Sequence, residues 1–235
     1  MQKLLRAARV ATTTLATALG VAPALPAQAP APQPRSAPIV QYLMVSRAAE
    51  IALARSAAPK AISDGATIMV LGREGYERAI SGQDGFVCLV ERSWASPFDS
   101  PGFWNPAIRG PACYNPAGAR SILPGIYMRT QLALAGLSKN QILDSVRVAF
   151  AAHRLASPEP GAMAYMMSKM GHVGAHAVRW LPHLMFELPR AAHADWGANV
   201  AGSPILLHQD SLDPVVTEFL IPVATWSDGT PARSP

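Results

Sequence analysis

Apolar and polar positions recur along this chain with two periods, near 3.6 and near 2, and the switches between them mark out its elements. Across residues 38–56, Tyr42, Leu43, Val45, Ala49 and Ile51 are spaced among Arg47, Glu50 and Arg55 with no glycine or internal proline, which predicts one helix closed by Pro59. Ser63-Asp64-Gly65 predicts a turn. Residues 66–71 then read as an apolar strand, residues 72–75 as a turn, and residues 76–80 and 86–92 as two more strands. Between those two lies Gly82-Gln83-Asp84-Gly85, whose Asp-Gly pair supplies the positive φ of a tight hairpin, so three antiparallel strands are expected.

Asn115-Pro116 has the form of an N-cap followed by proline at the first helical position. A short helix is expected to about Leu123, restarting at Pro124 and ending at Gly136. Ser138-Lys139-Asn140-Gln141 matches a capping box, after which Ile142, Leu143, Val146, Phe150 and Leu155 recur at helical spacing as far as Arg154. Beyond Pro158-Glu159-Pro160, residues 162–167, 184–188, 205–208 and 217–223 read as strands. Helices in two blocks and strands in two others predict an α+β fold, a mostly antiparallel sheet packed on one side by helices. No internal repeat is visible.

The N-terminus follows a different logic. Lys3, Arg6 and Arg9 precede an apolar run over residues 10–22 and then small residues, the pattern of a signal peptide over residues 1–27. That run is shorter than the ~20 residues a membrane-spanning helix needs, and no second such stretch follows, so no membrane span is expected. Residues 28–38, rich in Ala, Pro and Gln, read as a tether, and residues 39–235 as a single globular domain of roughly 195 residues. Loss of Lys3, Arg6 and Arg9 from the chain's 20 Lys and Arg leaves 17 against 15 Asp and Glu. The remaining cations are dispersed, which argues against a nucleic-acid partner. Export, to the periplasm or the medium, is the expected localisation.

In an oxidising compartment Cys88 and Cys113, the only two cysteines, are expected to pair. Cys88 lies in the apolar run Phe86-Val87-Cys88-Leu89-Val90, which argues against a reactive thiol. Between the cysteines, residues 93–111 hold Pro97, Pro101, Pro106 and Pro111 with Trp94, Phe98, Phe103 and Trp104. A long irregular loop with so many aromatics suggests either a ligand-binding wall or a cover over the sheet.

His172, His176 and His183 form the candidate polar cleft, with Tyr165 and Lys169 as further members and His208 weighed beside them. Histidines four apart ligate metal from one helix face, but Gly171 and Gly174 oppose a helix and no HExxH glutamate is present, so no metal site is assigned. No G-x-S-x-G turn accompanies His183, and Ser168 lacks glycine flanks. The acids Glu159, Glu187, Asp195, Asp210 and Asp213 are scattered. With no P-loop, G-x-G-x-x-G or C-x-x-C, no cofactor is expected. Met163, Met166, Met167 and Met170 read as core rather than copper ligands, because adjacent strand residues face opposite ways.

The runs Gly85-Phe86-Val87-Cys88-Leu89-Val90, Ser96-Pro97-Phe98-Asp99-Ser100-Pro101, Phe103-Trp104-Asn105-Pro106, Arg109-Gly110-Pro111-Ala112-Cys113 and Pro182-His183-Leu184-Met185-Phe186 resemble those of a family of exported bacterial single-domain proteins with no assigned activity. The resemblance spans residues 49–229 and implies an exported domain with two similarly placed cysteines. Three functions follow as expectations: a non-catalytic protein binding a small or apolar ligand through the aromatic loop; a hydrolytic, metal-assisted enzyme using His183, His172 and His176; or an envelope protein with a structural or interaction role.

Overall fold

The computed structural model describes residues 36–172, 180–190, 196–208, 210, 212 and 215–232; the expected signal peptide and most of the tether lie outside them. Eight strands form one sheet: β1 (Thr67–Gly72), β2 (Gly75–Ile80), β3 (Val87–Glu91), β4 (Gly110–Tyr114), β5 (Met163–Met166), β6 (His183–Pro189), β7 (Leu206–His208) and β8 (Val216–Pro222). Their order is β2-β1-β3-β4-β5-β6-β8-β7. Every neighbouring pair is antiparallel except β1 and β3, which run parallel.

That parallel pair corrects the expected hairpin. Strand β1 lies between β2 and β3, and the tight turn joins β1 to β2 through the Gly72–Gly75 pair. Burial explains the order: Ile68, Val70 and Leu71 of β1 are buried and suit an interior strand, whereas Glu77 and Arg78 of β2 are exposed and suit an edge. The segment between β2 and β3 therefore crosses the start of β1, where the Gln83 N–H donates to the Gly65 carbonyl and the Thr67 N–H to that of Phe86, both at 2.9 Å. Gly85 does take positive φ, +79°, and Gly82 is required for the crossing itself. A Cβ at Gly82 would lie 2.3 Å from backbone atoms of Gly65, Ala66 and Thr67.

Five helices are present among the described residues: α1 (Arg47–Arg55), α2 (Lys60–Ser63), α3 (Pro116–Ser121), α4 (Leu123–Leu134) and α5 (Lys139–Ala151). Asn115 caps α3 by accepting from the Gly118 N–H, and Ser138 and Gln141 form the capping box of α5. The single helix expected over 38–56 is split into a 3-10 turn, Ile39–Gln41, and α1. Ser46 ends the coil between them as the N-cap of α1, accepting from the Ala49 N–H at 3.1 Å. Tertiary contacts hold that coil: buried Tyr42 donates to the Trp104 carbonyl at 2.9 Å and packs on Trp94, ring centroids 4.5 Å apart.

Strand alternation sends the two faces of the sheet to different partners. Ile68, Val70, Cys88, Val90 and Cys113 face Leu53 and Ala54 of α1. Leu89, Ala112, Tyr114, Ala164, Met166 and Met185 face Leu123 and Ile126 of α4, and the α3–α5 block covers this side. Cys88 and Cys113 are directly opposed on β3 and β4, fully buried, and joined by a disulfide. A buried ion pair ties α1 to the sheet: the Arg92 guanidinium donates to Glu50 Oε1 at 2.8 Å and to the Tyr42 carbonyl at 2.7 Å, and Glu50 also accepts the Leu71 N–H at 3.0 Å. No helix among the described residues is long and apolar enough to cross a membrane.

Candidate functional site

A cavity of about 560 Å³ opens on the Leu89 face of the sheet. Strands β5 to β8 supply Met166, Met185, Leu206 and Leu220 to its floor, and α3, α4 and α5 supply Ser121, Ile126, Gly125, Val146 and Phe150 to its roof. Trp180 and Leu181 close one side. The loop after β3 closes another through Ala95, Ser96, Pro97 and Ile108. Apolar walls of this size suit a ligand of drug-like dimensions.

Three carboxyl groups interrupt the apolar floor. Glu91 ends β3 on the same face as Leu89, Glu187 follows Met185 by two positions on β6, and Glu218 precedes Leu220 by two on β8. Glu187 and Glu218 are register partners, directly across from one another. Tyr114 of β4 donates its phenolic O–H to Glu91 Oε1 at 2.5 Å. Glu91 lines the cavity, and burial against its apolar surroundings pushes the carboxyl up to about 7 from 4.5. The Tyr114 hydrogen bond and the Arg129 charge oppose that rise, and the Glu218 charge reinforces it. Burial first, then the charges of Glu91 and Glu187, holds the Tyr114 phenol well above its ordinary value, so it stays a hydrogen-bond donor.

Among the described residues, two arginines line the cavity, and both are engaged with the protein. Arg92 makes the Glu50 pair already described, and Arg129 of α4 places its guanidinium 4.1 Å from the Phe98 ring centroid while donating to the Ser96 carbonyl. His183 lies on the floor beside Trp180, ring centroids 5.3 Å apart. Its Nδ1 is 2.7 Å from the Leu181 carbonyl, which only accepts, so Nδ1 carries a proton.

The aromatic loop contributes to this cavity through its backbone and small residues, not its rings. Trp94, Phe98 and Phe103 are 1%, 0% and 2% exposed and fill a core cluster with Ala133, Ile142 and Val146, and Trp104 packs against its rim. Packing explains the inward turn: Phe98 and Phe103 stack at 5.5 Å, and Trp94 Nε1 donates to Thr130 Oγ1 at 2.9 Å. Trp94, Phe98 and Phe103 are thus buried in the core, and the residues of this loop that line the cavity are Ala95, Ser96, Pro97 and Ile108.

Of the candidate polar cleft, His183 alone is placed on the cavity. His172 is exposed and its backbone bridges to Arg109, while His176 lies outside the described residues. Strand β7 ends at His208, of whose side chain nothing is described. Tyr165 sits on the opposite sheet face against Phe86, and Lys169 pairs with Asp228 at 2.7 Å. Ser168 is buried and shares a hydrogen bond of 2.7 Å with Ser56. Among the described residues no three of His, Cys, Asp and Glu come together as a metal site.

Glu91, Tyr114, Arg129 and Glu218 were not singled out by motif or spacing, and Glu187 was one scattered acid among several. Glu187 shares its strand phase with buried Met185, but alternation does not mark Glu91 or Glu218, because the opposite phases of β3 and β8 hold fully buried Cys88, Val90, Thr217 and Phe219. Compared with known proteins, the chain matches no protein-family model, no curated protein and no solved structure.

Proposed function

We propose that this chain is an exported protein that binds a small molecule, taken into the cavity with its apolar body against α4 and β5–β8 and a polar end at the Glu91–Tyr114 pair. One observation carries the reading: a cavity of about 560 Å³ with mostly apolar walls and a few convergent polar groups on its floor. The N-terminal pattern of Lys3, Arg6 and Arg9 before an apolar run, together with the Cys88–Cys113 disulfide, supports export.

The test is titration with N-phenyl-1-naphthylamine, a neutral dye that fluoresces in apolar sites, against the protein and its Gly125→Phe variant. Gly125 lines the cavity, and a Cβ there would meet only Leu155 Cδ1, at 4.0 Å, so an added side chain has room to enter the cavity. Saturable binding to the parent, lost in Gly125→Phe at unchanged melting temperature, is expected. Absence of binding to the parent, or equal binding to both, overturns the reading.

A second reading, a hydrolytic enzyme, draws on Glu91 rather than on the histidine trio. A carboxyl that titrates near 7 beside a phenolic donor is suited to general acid–base work. Recovery of bound compounds chemically unchanged separates the first reading from the second.

A further inference from the structure

We infer that the N-terminal coil sets the shape of the cavity through Arg109, a positioning residue that acts through the loop wall, an inference that rests on the cavity being a binding site. Arg109 follows Ile108, which is buried and lines the cavity. Its own side chain turns instead to the coil ahead of α1, where it is half-buried and all five of its N–H bonds find acceptors. Nε donates to Met44 Sδ at 3.4 Å, and Nη2 to the carbonyls of Gln41 and Leu43 at 3.3 and 3.5 Å. Nη1 donates to the carbonyls of Pro106 and Ile108 at 2.6 and 2.8 Å. One rigid fork thereby joins residues 41–44 to residues 106–108. Burial, and then the Arg92 charge, brings its pKa down to about 10, so the group is a cation drawn partly out of water that still carries every donor at neutral pH.

The backbone of Arg109 carries the same fixing to a second wall. Its N–H donates to the His172 carbonyl at 2.7 Å, and its carbonyl accepts the His172 N–H at 2.8 Å. Gly171, the neighbour of His172, lies against the Trp180 indole: a Cβ there would fall 2.4, 2.5 and 2.8 Å from three of its ring atoms. The indole Nε1 donates to the Ser168 carbonyl at 2.6 Å. Ile108 and Trp180 line the cavity from separate segments, and one continuous run of short contacts ties both to the coil. The coil is itself a fixed point, held by buried Tyr42 through the Trp104 carbonyl and through Arg92. Apolar binding is sensitive to such fixing, because a gap of about 0.5–1 Å forfeits a quarter to a half of each dispersion contact.

The experiment is fluorescence titration with N-phenyl-1-naphthylamine of the parent, Arg109→Met, Ile108→Ala and the double variant Arg109→Met/Ile108→Ala, each well below its melting temperature. Arg109→Met keeps an unbranched apolar stem and removes the donors. It is expected to weaken dye binding ~10-fold, within the range produced by residues that are coupled to a site without touching its ligand. Because Arg109 acts through the wall, the double variant is expected to bind no more weakly than the weaker single variant, a non-additive cycle. A merely structural role would lower the melting temperature and leave the affinity of the folded protein as it was. Arg109→Lys, whose single nitrogen cannot serve both segments at once, replaces Arg109→Met in the cycle if the latter does not fold, with the same expectation. Unchanged affinity in the folded Arg109 variant, or additive losses in the cycle, overturns the positioning role and leaves the cavity reading standing. Failure of both Arg109 variants to fold overturns it too, since the residue would then serve the core rather than the wall. No binding to the parent overturns both.

Discussion

Replacing Glu91 by Gln is expected to abolish a pH dependence of stability that this one carboxyl imposes. The folded protein holds the Glu91 proton up to about 7, whereas the unfolded chain releases it near 4.5, so between those values the native state binds more protons than the unfolded state. Stability contributed by this group is therefore present at low pH and lost as pH rises through that window. A shift from 4.5 to about 7 corresponds to a loss of about 3 kcal/mol once both states are ionised, at 1.36 kcal/mol per unit. Gln preserves an acceptor for the Tyr114 O–H, which donates to Oε1 at 2.5 Å, and removes the charge that faces Glu218. Urea unfolding of both proteins, with the disulfide intact, is the assay. The two curves should nearly coincide at about pH 4.5, and by about pH 8 Glu91→Gln should be the more stable by about 3 kcal/mol. A stability difference that does not change with pH would refute the reasoning, since it would mean that Glu91 is solvated and ionises freely in the native protein.

Two other features should respond in proportion to their burial. Glu50→Ala leaves the Arg92 cation, 0% exposed, without its carboxylate and the Leu71 N–H without its acceptor, and should cost about 3–5 kcal/mol. Denaturant titration against Glu50→Met/Arg92→Met checks this, because the double variant removes both charges and should recover much of the loss. The double variant Cys88→Ala/Cys113→Ala should lose about 3–4 kcal/mol, the loop-closure entropy of the 25-position separation, seen as a lower urea midpoint. A loss under about 1 kcal/mol would show that the β3–β4 ladder alone holds the loop.

Local chemistry determined much of this protein in advance. The Asn115-Pro116 cap, the Ser138–Gln141 capping box and the positive φ of Gly136 after α4 are contacts within a few residues, and each stands where the sequence placed it. Strand positions were legible for the same reason, since alternation is a property of consecutive residues. The α+β class and the Cys88–Cys113 pairing followed from these blocks and from composition. Tertiary structure alone decided what depends on distant partners. Asp84-Gly85 promised a reversal and makes one, but whether it closes a hairpin or crosses β1 depends on which strand offers both faces to the core. Residues 39–45 have helical spacing, yet Tyr42 gains more by burial against Trp94 and a bond to the Trp104 carbonyl than by continuing the helix. The aromatics of residues 93–111 announced burial or binding equally, and only the approach of α4 and α5 turned them inward. The cavity is the extreme case. Glu91, Tyr114, Glu187 and Glu218 lie far apart in sequence and meet because β3, β4, β6 and β8 present one face to one space, an arrangement set by strand order and register rather than by any neighbour in the chain.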